Sequence, residues 1–324
     1  MNIKKIGLTA LAASLVSTSV FAGELTATGS ASLTVENYSG VAQNGGIAYS
    51  MADSVTLGGS TELDNGMTVS MSFELDSDNP SSSSYDNKSM TVSSDAMGTF
   101  VFAGHGGSSA VSAMDATAAG DIFDGFDGKV GTADAVTGHG DAAMLSTQAG
   151  DNSMLYTLPA MVDGLSATAS FSPKESGDAS STAWALTYTG FEGLSASYGK
   201  GDKSTGVSTT EADATTMKAS YAIGSFTVAY SNNDYQTAVA SKDQETTSYK
   251  VSYTVSDQIS VSYGTDEIKL ENDAQEAEFE KLSVAYTSGG MTLTAKQASS
   301  TDALHGTTDL EDRDYWSLGL SFAF

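Results

Sequence analysis

From Leu25 onward the chain alternates apolar and polar residues with a period of two. Leu25, Ala27, Gly29, Ala31, Leu33 and Val35 share one face, against Glu24, Thr26, Thr28, Ser30, Ser32 and Thr34 on the other. The pattern returns in Met67, Val69, Met71, Phe73 and Leu75, in Leu165, Ala167, Ala169 and Phe171, and in Leu194, Ala196 and Tyr198. It recurs in Phe226, Val228 and Tyr230, in Tyr249, Val251, Tyr253 and Val255, and in Ile259, Val261 and Tyr263. Leu282, Val284 and Tyr286 repeat it, and Trp316, Leu318, Leu320, Phe322 and Phe324 close the chain on it. Successive side chains of a strand point to opposite faces, so the pattern predicts strands with one apolar and one polar face.

Between these segments short and long connections alternate. The short ones are Asp64-Asn65-Gly66, then 94–98, 159–164, 190–193, 222–225, 256–258 and 288–290. The long polar ones are expected at 37–53, 76–88, 104–152, 172–182, 199–214, 231–246, 264–278 and 297–314. Seven short and eight long connections join sixteen strands that run up and down, with turns at one end and loops at the other. A closed barrel of that size encloses an aqueous channel, and closure leaves no unpaired edge.

The apolar face could meet a protein core or lipid. Two features favour lipid over a soluble β-sandwich. The polar faces are rows of Ser, Thr, Gly and Lys, as a wet lumen requires. Tyr188, Tyr221, Tyr253 and Tyr286 stand just before short turns, whereas Tyr198, Tyr230 and Tyr263 stand further along the following strands. Rings at two levels match the aromatic girdles of a membrane barrel.

Composition narrows the function. The 324 residues hold 40 Asp and Glu against 14 Lys and Arg, a formal net charge of −26, and no Cys. Disulfide scaffolds and Cys-ligated metal sites are excluded. General nucleic-acid binding would need cations to neutralise phosphate, and the one Arg is Arg313. The first residues read as a cleaved signal peptide, 1–22: Lys4 and Lys5, an apolar stretch to Val20, and a small-x-small box at Val20-Phe21-Ala22. A single β-barrel domain, 23–324, follows.

These residues bring out a family likeness. The chain resembles the Gram-negative outer-membrane general porins, and among them the alphaproteobacterial, Rhodobacter-like type. The likeness covers the whole segment after the signal peptide. It rests on the sixteen alternating strands, the very long third loop and the Gly98-Thr99-Phe100-Val101-Phe102 strand leading into that loop. It is most specific in the terminal Tyr315-Trp316-Ser317-Leu318-Gly319-Leu320-Ser321-Phe322-Ala323-Phe324. There Trp316, Phe322 and Phe324 resemble the signal read by the outer-membrane assembly machinery. The resemblance implies an all-β, 16-stranded antiparallel transmembrane β-barrel, trimeric, with its third loop folded into the lumen. It implies a passive diffusion channel for small hydrophilic solutes and ions, set among outer-membrane lipid and lipopolysaccharide, with no cofactor. Alternatives are a non-channel surface barrel, structural or adhesive, and a substrate-selective porin.

The residues that would set selectivity follow from loop and parity. The third loop carries Asp115, Asp121, Asp124, Asp127, Asp134, Asp141 and Asp151 against Lys129 alone. Carboxylates in a narrow, low-dielectric mouth concentrate cations. With Met217, Ala219 and Tyr221 facing lipid, Lys218 faces inward, and the same parity turns Lys250, Lys281 and Lys296 inward. An outward Lys at mid-bilayer would cost about 2–4 kcal/mol. The four are expected to form a basic wall opposing the acidic loop. General porins carry an Arg-rich cluster on their early strands, and those strands hold no Arg here. The expectation is therefore a cation preference. Asp121, Asp124 and Asp127 also suit Ca²⁺, a hard cation that takes carboxylate and carbonyl oxygens, although the spacing is not that of an EF-hand. External acidic runs such as 271–280 could bridge lipopolysaccharide phosphates through divalent ions. Catalysis is not expected. The three His are His105, His139 and His305, and no Gly-x-Ser-x-Gly or His-Glu-x-x-His spacing occurs.

Overall fold

The computed structural model describes residues 25–39, 46–76, 86–126, 151–173, 180–204, 212–237, 243–271, 275–303 and 312–324. The expected signal peptide, 1–22, lies outside them. Sixteen strands close into one antiparallel barrel, each paired with its neighbours in sequence and the first with the last. They are β1 (Leu25–Ser39), β2 (Gly46–Glu62), β3 (Thr68–Asp76), β4 (Asn87–Ser94), β5 (Gly98–His105), β6 (Ser153–Thr157), β7 (Leu165–Ser172) and β8 (Ser180–Tyr188). Then follow β9 (Leu194–Ser204), β10 (Ala212–Ile223), β11 (Phe226–Thr237), β12 (Gln244–Ser256), β13 (Ile259–Leu270), β14 (Ala277–Ser288), β15 (Met291–Thr301) and β16 (Arg313–Ala323). The barrel closes where β16 pairs with β1, Val35 opposite Leu318. Phe324 completes the seam by exchanging backbone hydrogen bonds with Gly29, at 2.7 and 2.9 Å.

Register fixes which side chains share a face, because directly paired residues point the same way. Tyr198 pairs with Leu186 on β8 and Met217 on β10, and all three face out. Lys218, one residue on from Met217, pairs with Ser197 and Ser231, and all three face in. The outer face carries the large exposed apolar residues, among them Val228, Val251, Leu282 and Leu318. It also carries paired rings: Trp184 with Tyr198, Phe226 with Tyr253, and Tyr230 with Tyr249. Such a face is stable only against hydrocarbon, where amphipathic rings mark the interfaces.

The strands run further than the alternation suggests. Loops expected at 231–246 and 264–278 are largely strand, since β11 reaches Thr237, β12 begins at Gln244, β13 reaches Leu270 and β14 begins at Ala277. The physical reason is a change of phase along each strand. On β13, Ile259, Val261 and Tyr263 face out, but the next outward residues are Thr265, Glu267 and Lys269. Its inward row runs Ser260, Ser262, Gly264, Asp266 and then Ile268, which is buried. The strand leaves the hydrocarbon on its outer face at the level where its inner face meets other protein. Alternation persists while its polarity inverts, and the inverted half reads as a polar loop.

Candidate functional site: the lumen and its third loop

The protein met by those inner faces is the third loop. After β5 the chain enters the barrel and makes one helical turn, α1 (Ser112–Asp115), and a 3-10 turn at Ile122–Phe126. Its neck is tied by His105 and Asp151, whose Nδ1 and Oδ1 lie 2.5 Å apart. Backbone groups of a loop inside a lumen need partners. The wall supplies them strand by strand. The amides of Ala110, Ala118 and Ala119 donate to the hydroxyls of Ser170 on β7, Ser231 on β11 and Ser248 on β12, each at 2.9 Å. The amide of Ile122 donates to the carboxylate of Asp266 on β13 at 2.6 Å.

Apolar contacts complete the attachment. Val111, Met114, Ile122, Phe123 and Phe126 are buried against inward Ala183, Ala185, Ala214, Ala298 and Phe279. The Phe126 ring lies 5.6 Å from Phe279 and 6.3 Å, edge-on, from Tyr315. Two glycines let the loop come this close. A Cβ on Gly199 would meet Met114 and Val111 at 2.6 and 2.7 Å, and one on Gly264 would meet the Ala119 Cβ at 2.7 Å.

The four lysines form an arc under the loop. Each stands two residues to the short-turn side of a buried wall residue: Lys218 from Thr216, Lys250 from Ser248, Lys281 from Phe279 and Lys296 from Ala298. Lys218 Nζ donates to the Ala116 carbonyl at 2.7 Å and Lys281 Nζ to the Gly120 carbonyl at 2.8 Å. Lys218 and Lys281 thus lie against the described part of the loop rather than across the lumen from it. Backbone carbonyls of the loop solvate these two ammonium groups. The facing strands β1, β2 and β3 contain no Lys, Arg or His. Their lumenal rows are mostly Ser and Thr with some Ala and Gly, with Glu36, Glu74 and Asp76 toward the loop ends and Glu62 at the short-turn end.

The acidic candidates are divided. Asp121 takes a left-handed backbone, φ 41°, and its carboxylate accepts the Thr117 amide at 2.7 Å. Thr117 in turn accepts the Asp121 amide at 2.8 Å, which is how a short polar residue is stabilised there. Asp124 is exposed on the 3-10 turn. Asp115 ends α1. Asp127, Lys129, Asp134 and Asp141 lie outside the described residues. Among the described residues no group of three or more acidic or His side chains is arranged to hold a metal ion. Tyr156 and Trp184 face out, paired with Phe100 and Ala169 on neighbouring strands, whereas Tyr235 packs inward against the loop cluster. Trp316 and Phe322 face out on β16.

Sequence reasoning missed the attachment residues Ser170, Ser231, Ser248, Asp266 and Phe279. The available signal was the apolar residues on an otherwise polar face: Ala214, Ile268, Phe279 and Ala298.

A sixteen-stranded barrel with an apolar outer belt, a polar lumen and a loop fixed inside it defines a membrane channel architecture of the bacterial outer-membrane kind. The sequence pattern of the Gram-negative porins matches residues 7–290, and the chain belongs to that family, an outer-membrane protein. No curated protein matches it in sequence. Solved structures share the fold at low identity. The anion-selective porin from Comamonas acidovorans is 16% identical with TM-score 0.67, over 93% of this chain and 100% of that one. The trimer form of OmpT from Vibrio cholerae is 15% identical with TM-score 0.69, over 94% and 100%. A mutant of the Rh. blastica porin is 14% identical with TM-score 0.63, over 93% and 100%.

Proposed function

We propose that this porin is a homotrimer of channels, each passing small hydrophilic solutes and ions passively and favouring cations. The observation that carries the reading is the attachment of the described part of the third loop to Ser170, Ser231, Ser248 and Asp266, on the wall away from the polar lumenal rows of β1–β3. The cation preference is supported by the excess of lumenal carboxylates, with Glu36, Glu74, Asp76, Asp121 and Asp124 among them, and by the Asp-rich loop sequence. The trimer form of the Vibrio cholerae protein supports the assembly. Outer-membrane lipid and lipopolysaccharide would surround the trimer, delivered there by the assembly machinery through the C-terminal strand.

Planar-bilayer recording in a KCl gradient tests this. Stepwise openings with a K⁺-favouring reversal potential are expected. Neutralising Asp121, Asp124 and Asp127 to Asn should move that potential toward zero, because fewer fixed charges then enrich cations. A Cl⁻-favouring potential in the unaltered protein would overturn the cation preference while leaving the channel. A folded barrel without conductance would overturn the channel itself. Residues 1–22 would serve as the export signal, so N-terminal sequencing of the membrane-extracted protein should begin at Gly23. A start at Met1 would mean the segment is retained.

A further inference from the structure

We propose that the lysines under the third loop form a binding station for small multiply charged anions, of which inorganic phosphate is the simplest. This rests on the channel reading and adds a ligand class to its lumen. Lys250 on β12 pairs with Gly264 on β13, which pairs with Lys281 on β14. Adjacent strands lie about 4.8 Å apart, so the two lysine backbones are roughly 10 Å apart in one row. The position between them carries no wall side chain, and the loop's Ala119 lies over it, its Cβ 2.7 Å from where a Gly264 Cβ would stand. Lys296 joins from β15, one strand further, diagonal to Lys281 through the Lys281–Ala298 pair.

The arc is crowded with like charge. Lys296 and Lys250 each repel the Lys281 ammonium. Asp266 and Asp121 attract it, but both carboxylates already accept loop amides, from Ile122 and Thr117. Lys281 is fixed to the Gly120 carbonyl, so it cannot swing away. Among the described residues no ion pair reaches Lys250 or Lys296. Toward the described residues neither spends an N–H donor on a carboxylate, and each ammonium has three. A dianion with several acceptor oxygens relieves the repulsion and takes charge-assisted hydrogen bonds from more than one lysine. A single chloride does so less well. The station lies on the short-turn side of the loop, the periplasmic side in barrels of this kind. Of the lumenal acids, Glu36, Glu74, Asp76 and Asp266 lie toward the opposite mouth and Glu62, at the short-turn end of β2, toward this one. Anions therefore reach it from the periplasm, and it can operate inside a channel whose wider lumen prefers cations.

The test adds phosphate to the periplasmic chamber during single-channel recording in KCl, at matched ionic strength. Phosphate should reduce the current in the unaltered protein. The K250Q/K296Q double variant, which leaves the Lys281 anchor in place, should need about tenfold or more phosphate for the same reduction, as expected for losing two charge-assisted hydrogen bonds. The K250R/K296R variant should remain phosphate-sensitive. Equal sensitivity in the Gln variant, or none in the unaltered protein, overturns the station. Heat-modifiable gel mobility establishes that each variant is folded. Should the folded barrel carry no current, the channel reading fails separately, and titration calorimetry of the detergent-solubilised protein with phosphate decides the station. Binding that the Gln variant loses upholds it, and absence of binding overturns it.

Discussion

Replacing Phe126 with Ala should widen the channel. Phe126 is fully buried between Phe279 and Tyr315, at the far end of the described loop. Truncating a buried Phe costs about 3–5 kcal/mol, partly as lost transfer energy and partly as the cavity left behind. That loss falls on a loop rather than on the barrel, whose strands are held by their own ladders. Among the described residues the loop's other polar attachments are four amide hydrogen bonds, the Thr168 hydroxyl to the Ala110 carbonyl and two lysine–carbonyl bonds, each contributing about 0.5–3 kcal/mol net, beside the burial of Val111, Met114, Ile122 and Phe123. The 3-10 turn should therefore detach while the amide row nearer α1 persists. Expected results are higher and noisier single-channel conductance and faster entry of larger sugars in liposome swelling, with barrel heat-modifiability unchanged. Conductance equal to that of the unaltered protein would mean that this turn does not narrow the pore.

Exchanging one residue for Lys on either side of a single β12 step should give opposite results. Val251 faces out, between Val228 and Tyr263, in the ring-bounded belt. Val251→Lys places a cation against hydrocarbon, at a cost of about 2–4 kcal/mol near the midplane and less toward the interfaces. Ser252 pairs with Thr227 and Ser262 on the lumenal face. Ser252→Lys should leave stability nearly unchanged and shift the reversal potential toward anions, since it adds a positive charge beside Lys250. Urea unfolding followed by gel mobility reads the first effect, and bilayer recording reads the second. If Ser252→Lys proved the destabilising one, the register of β12 would be displaced by one residue.

The strands themselves were legible because the membrane reads only two faces. Ile259, Val261 and Tyr263 against Ser260 and Ser262 specify a strand, its orientation and its lipid side in five residues. The inward placement of Lys218, Lys250, Lys281 and Lys296 follows from the same parity. What parity could not show is what lies inside. On β14, Glu278 and Glu280 face out while Ala277 and Phe279 face in, the reverse of Leu282 and Val284 against Lys281 and Ser283. Read locally this is a loop. Read with the third loop in place it is strand whose inner face has become core.

The sequence by itself determined the barrel, its strand number, its lipid-facing rows and the inward lysines, because each depends only on period-two alternation against a uniform solvent on either side. Tertiary structure alone decided where the third loop lies and which residues it meets. Ser170, Ser231, Ser248 and Asp266 are spread over nearly a hundred residues, and only closure of the barrel lines them up as partners for one short run of amides. It likewise put Lys218 and Lys281 against the described part of the loop rather than across the lumen from it. A loop backbone entering a lumen has unsatisfied carbonyls, and the nearest ammonium groups on the wall it touches are the ones that satisfy them.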